Sequence, residues 1–546
     1  MDNNNIYTEN INASYVVFLV VLYKIYNHTM KKNLLPIVTK FMAPLFLALG
    51  GCTLQKESSL NEHPNIIYVF PDQYRNMSMG FWNDKEFNDA HIKADPVHTP
   101  NLNKFAKEAL VSSCAMSNCP LSSPHRGSLM TGTYPHKSGI PINCNSNRPI
   151  SSLHSDISCI SDIFSQSGYD CAYIGKWHAD HPTRNNPQNP GQYVDSCKVV
   201  WDAYTPKEKR HHFNFWYSYG TYDVHKDPHY WDNEGLRHEP KEWSPIHEAK
   251  TVINYLQNKE NQRDFSKPFF IMVGMNPPHS PYSSLNDCMV EDFQHYKDKS
   301  IDSLLIRPNA DKLREKANSA KYYFSSITGV DRAFGMILNE LKRLQLDKNT
   351  IVVFTSDHGE TMCSHYTDEA KNLPYKEAMN VPFIIRYPNH IRPRLENLMI
   401  STPDIMPTLL GLANLQNSIP ETVQGYNYAQ ILTESEPNVL DYPEVALYIK
   451  NIDGEKNKEG KVISYFPEGR GIKTKEYTLA LFIDKNKVLR EVFFFDDIND
   501  PYQQQNLSIN KNKETFNSLT KLLAEELKRI SDPWFKEKIL SDIIPY

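Results

Sequence analysis

No C-x-x-C pair occurs among the nine cysteines of this 546-residue chain, so a zinc ribbon is not expected. An excess of one charge is missing too. The 59 Lys and Arg stand against 64 Asp and Glu, a formal net charge of −5, and no basic stripe runs through the sequence. Nucleic acid is therefore not an expected partner. There is no internal repeat and no low-complexity tract, which argues against a repeat array. Long hydrophobic runs are scarce as well. Residues 15–22 are apolar but too few for a membrane span. What is present is length enough for two or three domains and a large core. The 31 Tyr suit a sugar-handling cleft or an ordinary core equally well.

The N-terminus holds a sharper pattern. Met30-Lys31-Lys32 is followed by an apolar stretch ending in Leu49-Gly50-Gly51-Cys52. Positive charge, an apolar region and small residues before a cut site form a secretory signal. The last four residues resemble a bacterial lipoprotein box, which implies lipid on Cys52 and an anchored rather than soluble protein. Translation is expected to start at Met30. The chain is then an exported lipoprotein in the periplasm or at the cell surface. The expected divisions are a signal and lipobox region over 1–52, a linker over 53–64, a catalytic α/β domain over 65–424 and a smaller α+β domain over 425–546. The eight cysteines other than Cys52 could pair in an oxidising compartment, but their spacing does not say which.

Short apolar runs at 65–70, 171–175, 268–273, 351–355 and 381–385 read as buried strands. Helical patterns lie between them, after Thr99-Pro100, over 157–166 and over 312–344. The alternation predicts a large, mostly parallel sheet with helices on both faces. Beyond about Gln424, strand-like pieces at 476–482 and 488–495 precede an amphipathic helix over 513–530. These predict the smaller domain and an antiparallel sheet.

Polar residues cluster where the predicted strands end, the functional edge of such sheets. Asp72-Gln73 follows the first strand and Ser356-Asp357-His358-Gly359-Glu360 the fourth. Hard oxygen donors on two strand ends suggest one shared cation, calcium or magnesium rather than zinc. Gly175-Lys176-Trp177-His178 follows the second strand. It offers a fixed charge and a group titrating near neutrality. If strand geometry continues, both side chains point to one side. Asn276-Pro277-Pro278-His279-Ser280-Pro281-Tyr282 follows the third, with prolines fixing the direction of His279. Aromatics and histidines at 211–216 and 222–225 are candidates to face a sugar, or ordinary packing.

The segment from Ser122 to Gly132 reads Ser-Ser-Pro-His-Arg-Gly-Ser-Leu-Met-Thr-Gly. It resembles the signature of the formylglycine-dependent sulfatases, whose first residue is oxidised to an aldehyde. Cys119 is in the wrong register, because Pro120 follows it directly. The resemblance covers roughly residues 64–530 and includes the late Arg470-Gly471-Ile472-Lys473-Thr474 and Asp500-Pro501-Tyr502 segments. It implies an α/β hydrolase of sulfate esters, most plausibly on carbohydrate. It also implies a serine-type enzyme matured by an anaerobic sulfatase-maturating enzyme.

The same resemblance assigns roles. Asp72, Gln73, Asp357, His358 and the modified Ser122 would hold the cation, with calcium expected and magnesium second. Many members have Asp-Asp where this chain has Asp72-Gln73, so the site carries one negative charge fewer. Lys176 would hold the aldehyde hydrate or sulfate, and Lys371 the sulfate. His178 would be the base that breaks down the sulfated intermediate, and His279 the acid that protonates the leaving alcohol. Arg126 would brace oxygens or stabilise its own loop. Lys376 reads as surface charge. One hydroxyl of the hydrated aldehyde would attack sulfur, and the other would lose its proton and expel sulfate. The rival readings are a phosphatase or phosphonate hydrolase of the same fold and an inactive glycan-binding lipoprotein.

Overall fold

The computed structural model describes residues 63–185, 187–188, 198–434 and 442–544. The signal, the lipobox with Cys52, nearly all of the linker, and Cys197 lie outside the described residues.

Ten strands form the larger sheet. They are β1 (Asn65–Val69), β2 (Leu110–Ser112), β3 (Asp170–Lys176), β4 (Phe215–Tyr219), β5 (Tyr230–Trp231), β6 (Arg237–His238), β7 (Phe269–Gly274), β8 (Thr350–Thr355), β9 (Phe383–Arg386) and β10 (Arg394–Glu396). Their order is β10-β2-β9-β8-β1-β7-β3-β4-β5-β6. The central run from β8 to β4 is parallel throughout. Antiparallel pairs lie on either side, β8 with β9 and β9 with β2, then β4 with β5 and β5 with β6. The sheet is thus mixed, with the expected parallel centre.

Alternation along each strand explains why helices cover both faces. Ile67, Val69, Ile271, Val273, Val352 and Phe354 enter one core. There they meet α1 (Pro100–Lys107), α4 (Ser244–Gln257) and α5 (Ala320–Arg343). Ile66, Tyr68, Phe270, Met272, Ile351 and Val353 enter the other core. Their partners are α2 (Ser122–Thr131), α3 (Ile160–Gln166) and α6 (Ile405–Leu412). Strands buried on both faces read as unbroken apolar runs, which is why β1, β7 and β8 are legible in the sequence.

Four antiparallel strands form the second sheet, in order β11 (Ala446–Asp453), β12 (Tyr465–Lys473), β13 (Tyr477–Ile483) and β14 (Leu489–Asp496). One face packs on α7 (Lys513–Arg529) through Phe516, Leu519, Leu523 and Leu527. The other carries Tyr448, Phe482 and Phe493 onto Met116, Met379 and Met399 of the larger part. Arg470 and Asp532, both fully buried, pair at 3.0 Å. Deleting one partner of such a pair costs about 3–5 kcal/mol. Lys376 is not plain surface charge. It pairs with Asp497 at 3.3 Å and reaches the Pro501 carbonyl, so it ties the segment after β14 to the larger part.

The described cysteines, 114, 119, 144, 159, 171, 288 and 363, are all free thiols. The aromatics at 213–216 belong to the core rather than to a sugar cleft. Phe213 and Trp216 pack against Tyr173, and Phe215 against Tyr255. His225 is likewise buried.

Candidate active site

The signature segment is a helix. Ser122 is the first residue of α2, and Gly132 closes it with φ 64°, its N–H donating to the Ser128 carbonyl. A left-handed cap is where glycine belongs. Arg126 sits one turn after Ser122 and so shares its face. The whole helix is buried.

Four parallel strands deliver the other groups from their carboxyl ends. Asp72 follows β1, Lys176 ends β3, Asn276 follows β7, and Asp357-His358 follow β8. Gly175 has φ 92°, and a Cβ there would lie 2.4 Å from the Gly274 carbonyl oxygen. Glycine lets β3 and β7 close up, and Lys176 Nζ then donates to Asn276 Oδ1 at 2.9 Å.

These groups converge on Ser122. Its Oγ lies 3.3 Å from Asp72 Oδ1 and 3.1 Å from His358 Nε2. His358 Nδ1 is 3.0 Å from the Gly359 carbonyl oxygen. A carbonyl only accepts, so the ring proton sits on Nδ1 and the Nε2 lone pair faces the site. Ligand atoms of Asp72, Asp357 and His358 all lie within 4.8 Å of one another. Gln73, at φ 65°, gives its side-chain N–H to Glu360. Its amide oxygen is buried without a hydrogen-bond partner. A buried amide oxygen without a donor is costly, and a hard cation would satisfy it. The donor set fits a calcium-type ion.

Electrostatics point the same way. Burial works to raise the Asp72 pKa, but Lys176, His279 and His358 outweigh it and hold the carboxyl well below its usual range. Burial, then the charge on Asp72, raises that of Asp357. Two buried carboxylates this close favour a nearby dication. Arg126 braces both, with Nη2 3.2 Å from Asp72 Oδ2 and 3.5 Å from Asp357 Oδ2. Its Nη1 donates to the Lys176 carbonyl at 2.6 Å. Arg126 thus bonds both carboxylates and ties α2 to β3. Lys176 Nζ lies 2.7 Å from Asp72 Oδ2.

Lys176 and His178 do not act as neighbours on one extended face. β3 ends at Lys176, and His178 takes φ 44°. Its Nε2 lies 3.2 Å from the Cys144 carbonyl oxygen, so Nε2 carries the proton. Its Nδ1 is buried without a partner. Burial, then Lys176 and Arg126, hold its pKa well below the usual value. His178 is thus a neutral imidazole with one free lone pair. His279 has the opposite tautomer surroundings. Its Nδ1 donates to the Ser280 carbonyl at 2.7 Å, and its Nε2 accepts from Lys371 Nζ at 2.8 Å. Burial, then Lys371 and Lys176, lower its pKa as well.

The sequence reading leaves out Asn276, Glu360 and the specific role of Asp223. Asn276 and Glu360 stand inside the quoted motifs, at strand ends. Glu360 orients Gln73, accepts from Tyr282 OH at 2.8 Å and pairs with Lys316 at 2.8 Å. Asp223 is exposed, with Oδ1 3.7 Å from His279 Nδ1. It is the one residue of 222–225 that meets a predicted catalytic group among the described contacts.

Residues 64–415 match the sulfatase family, and residues 365–532 match the C-terminal region of N-sulphoglucosamine sulphohydrolase. The chain belongs to the sulfatase family, the sulfuric ester hydrolases. This sulfatase is 61% identical over 502 residues to an endo-4-O-sulfatase of Bacteroides thetaiotaomicron, covering 91% of this chain and 99% of that one. It is 33% identical to an ulvan-active sulfatase of Formosa agariphila, over 86% of this chain and 82% of the relative. A solved structure from work on glycosaminoglycan metabolism by Bacteroides thetaiotaomicron superposes with TM-score 0.87 at 62% identity, covering 89% and 100% of the two chains. A phosphonate monoester hydrolase of Agrobacterium radiobacter, at 17% identity and TM-score 0.57 over 85% and 96% of the chains, shares the fold alone.

Proposed function

We propose that this sulfatase removes 4-O-sulfate esters from within a sulfated glycan, a glycosaminoglycan in the first instance, using formylglycine made from Ser122. The observation that carries the mechanism is the convergence of Ser122 Oγ on Asp72 and His358 beside the unpartnered Gln73 oxygen. The likeness to the endo-4-O-sulfatase and to the glycosaminoglycan-related structure supports the substrate.

Asp72, Gln73, Asp357, His358 and the modified Ser122 would hold Ca2+, with Mg2+ second. When in place, the cation and the hydrated aldehyde supply charge stabilisation at the sulfuryl oxygens and the attacking hydroxyl. Lys176 and Lys371 bring positive charge to the sulfate. His178 takes a proton at Nδ1, which nothing in the protein occupies. His279 serves the leaving oxygen at Nε2, where Lys371 already donates a hydrogen bond. A bound sulfate anion favours the protonated imidazole, so the low resting pKa of His279 suits an acid charged only in the complex. Arg126 holds the carboxylates in position.

We place the catalytic part at 65–424 and the smaller part at 425–546. The protein is exported and anchored through lipid on Cys52, and an anaerobic sulfatase-maturating enzyme converts Ser122. Coexpression with such an enzyme tests this. Intact-peptide mass spectrometry should show loss of two hydrogens at Ser122, and defined oligosaccharides should lose 4-O-sulfate before 6-O-sulfate. An unmodified Ser122 with turnover of phosphonate monoesters would overturn the reading.

A further inference from the structure

Far from Ser122 in the sequence, a second group of metal-ligating side chains lies at the start of α3. Cys159 precedes the helix and Asp162 stands in its first turn. The loop before β4 brings His211 and His212 to the same place. Ligand atoms of Cys159, Asp162 and His211 all lie within 4.8 Å of one another. His211 Nδ1 is 3.2 Å from Asp162 Oδ2, and His212 Nδ1 is 2.6 Å from Asp162 Oδ1. His212 is exposed and bonds the other oxygen of the same carboxylate, which makes it a candidate fourth donor.

These donors differ in kind from those around Ser122. A thiolate, one or two imidazoles and a single carboxylate select zinc or a neighbouring transition metal. Calcium and magnesium have no use for sulfur. Asp162, His211 and His212 line a surface cavity of about 840 Å3, while Cys159 is itself buried, so a metal would reach its sulfur past these three side chains. Metal binding would replace the contact of the thiol with the Ile157 carbonyl at 3.9 Å and the hydrogen bonds between the histidines and Asp162. The Cys159 sulfur already accepts the Asp162 N–H, and Asp162 accepts the Cys159 N–H at 2.8 Å, so the helix start holds both ligands at fixed spacing.

We propose that Cys159, Asp162 and His211, with His212 as fourth donor, form a zinc-type site that ties the loop before β4 to α3. Binding forms a sulfur–metal bond and releases the thiol proton to solvent, so affinity rises with pH. The site is independent of the hydrolytic centre and stands whether or not Ser122 is converted. Without metal, the carboxylate bridges the two histidines by hydrogen bonds alone.

Cobalt(II) titration of the exported chain tests the site. Excess calcium keeps the oxygen-rich centre occupied, and a phosphine reductant keeps thiols reduced. The expected result is one cobalt per chain with a thiolate-to-cobalt charge-transfer band, displaced by one equivalent of zinc. Cys159→Ser retains a capping oxygen and should fold, yet lose the band. Cys288→Ser, at a buried thiol elsewhere, should keep it. His211→Ala should weaken zinc on the order of a hundredfold, judged by competition with a chromophoric chelator. Zinc should raise the melting temperature of the parent and leave Cys159→Ser unmoved. Absence of the band, or a band that survives Cys159→Ser, overturns the proposal.

Discussion

The floor and the rim of the sulfatase site are built differently. On the floor, Asp72, Asp357, His358, Arg126 and Lys176 are buried and mutually bonded. At the rim, His279 is 14% exposed, its Nε2 meets Lys371, and Asp223 stands 66% in solvent. The floor is held by protein contacts before any substrate arrives, as electrostatic preorganisation requires. The rim is a short bonded chain, from Lys371 through His279 to the Ser280 carbonyl, with the Asp223 carboxylate largely in solvent. Floor variants should therefore fail on every substrate, whereas rim variants should fail unevenly. Ser122→Ala is the extreme floor case. Sulfate release from all substrates should fall on the order of a millionfold, the scale seen when a covalent nucleophile is removed. Residual turnover that depends on the substrate would break the distinction.

The two histidines place the boundary. His178→Ala removes the free Nδ1 lone pair, and His279→Ala removes the group that Lys371 addresses. Each should lower kcat by about a hundred- to ten-thousand-fold. Single-turnover experiments separate them. The His178 variant should accumulate sulfated enzyme, because its proposed task follows sulfur transfer. The His279 variant should recover partly on substrates with a good leaving group such as a nitrophenol. Equal recovery in both would mean that the two share one proton task.

Much of the floor is legible in the sequence because each piece is a short motif at a strand end, where topology gathers distant residues. Asp72, Lys176 and Asp357 follow three apolar runs that the chain makes obvious, and of the rim only His279 shares that advantage. The rim and the edges are less legible. Phe215 and Trp216 open a mainly aromatic strand, so the start of a buried strand reads as a candidate sugar surface. β2 and β10 have three residues each, too few for any period to register. Asp223 acquires its place only through a contact across 56 residues of sequence, between 223 and 279. No local pattern encodes that. Cys159 and His211 are hidden for the same reason.

The loop carrying Asp223 has its own acid sensitivity. Burial lowers the pKa of His225 to about 4, with Asp287 opposing. The unfolded chain takes up that proton near pH 6.5. Between these values only the unfolded state is protonated, so stability is complete above about pH 6.5 and is lost as pH falls toward 4. The loss from this residue is at most about 3 kcal/mol. Urea unfolding of His225→Gln should show a flatter dependence on pH than the parent by up to one proton. Parallel profiles would show that another group carries the acid limb.

Asp223 itself gives the smallest effect and the finest view of the rim. Its carboxylate faces His279 at 3.7 Å from an exposed position. Such a pair contributes about 0.2–1 kcal/mol, which is about 0.2–0.7 pH units on the partner. A nearby anion favours the imidazolium, so removing it lowers the pKa of His279. Asp223→Asn should move the His279 limb of the kcat/KM profile to lower pH by that amount. The limb assigned to His178, whose pKa is held down by burial, Lys176 and Arg126, should stay in place. Movement of both limbs together would mean that the variant disturbs the floor, and the separation between floor and rim would fail.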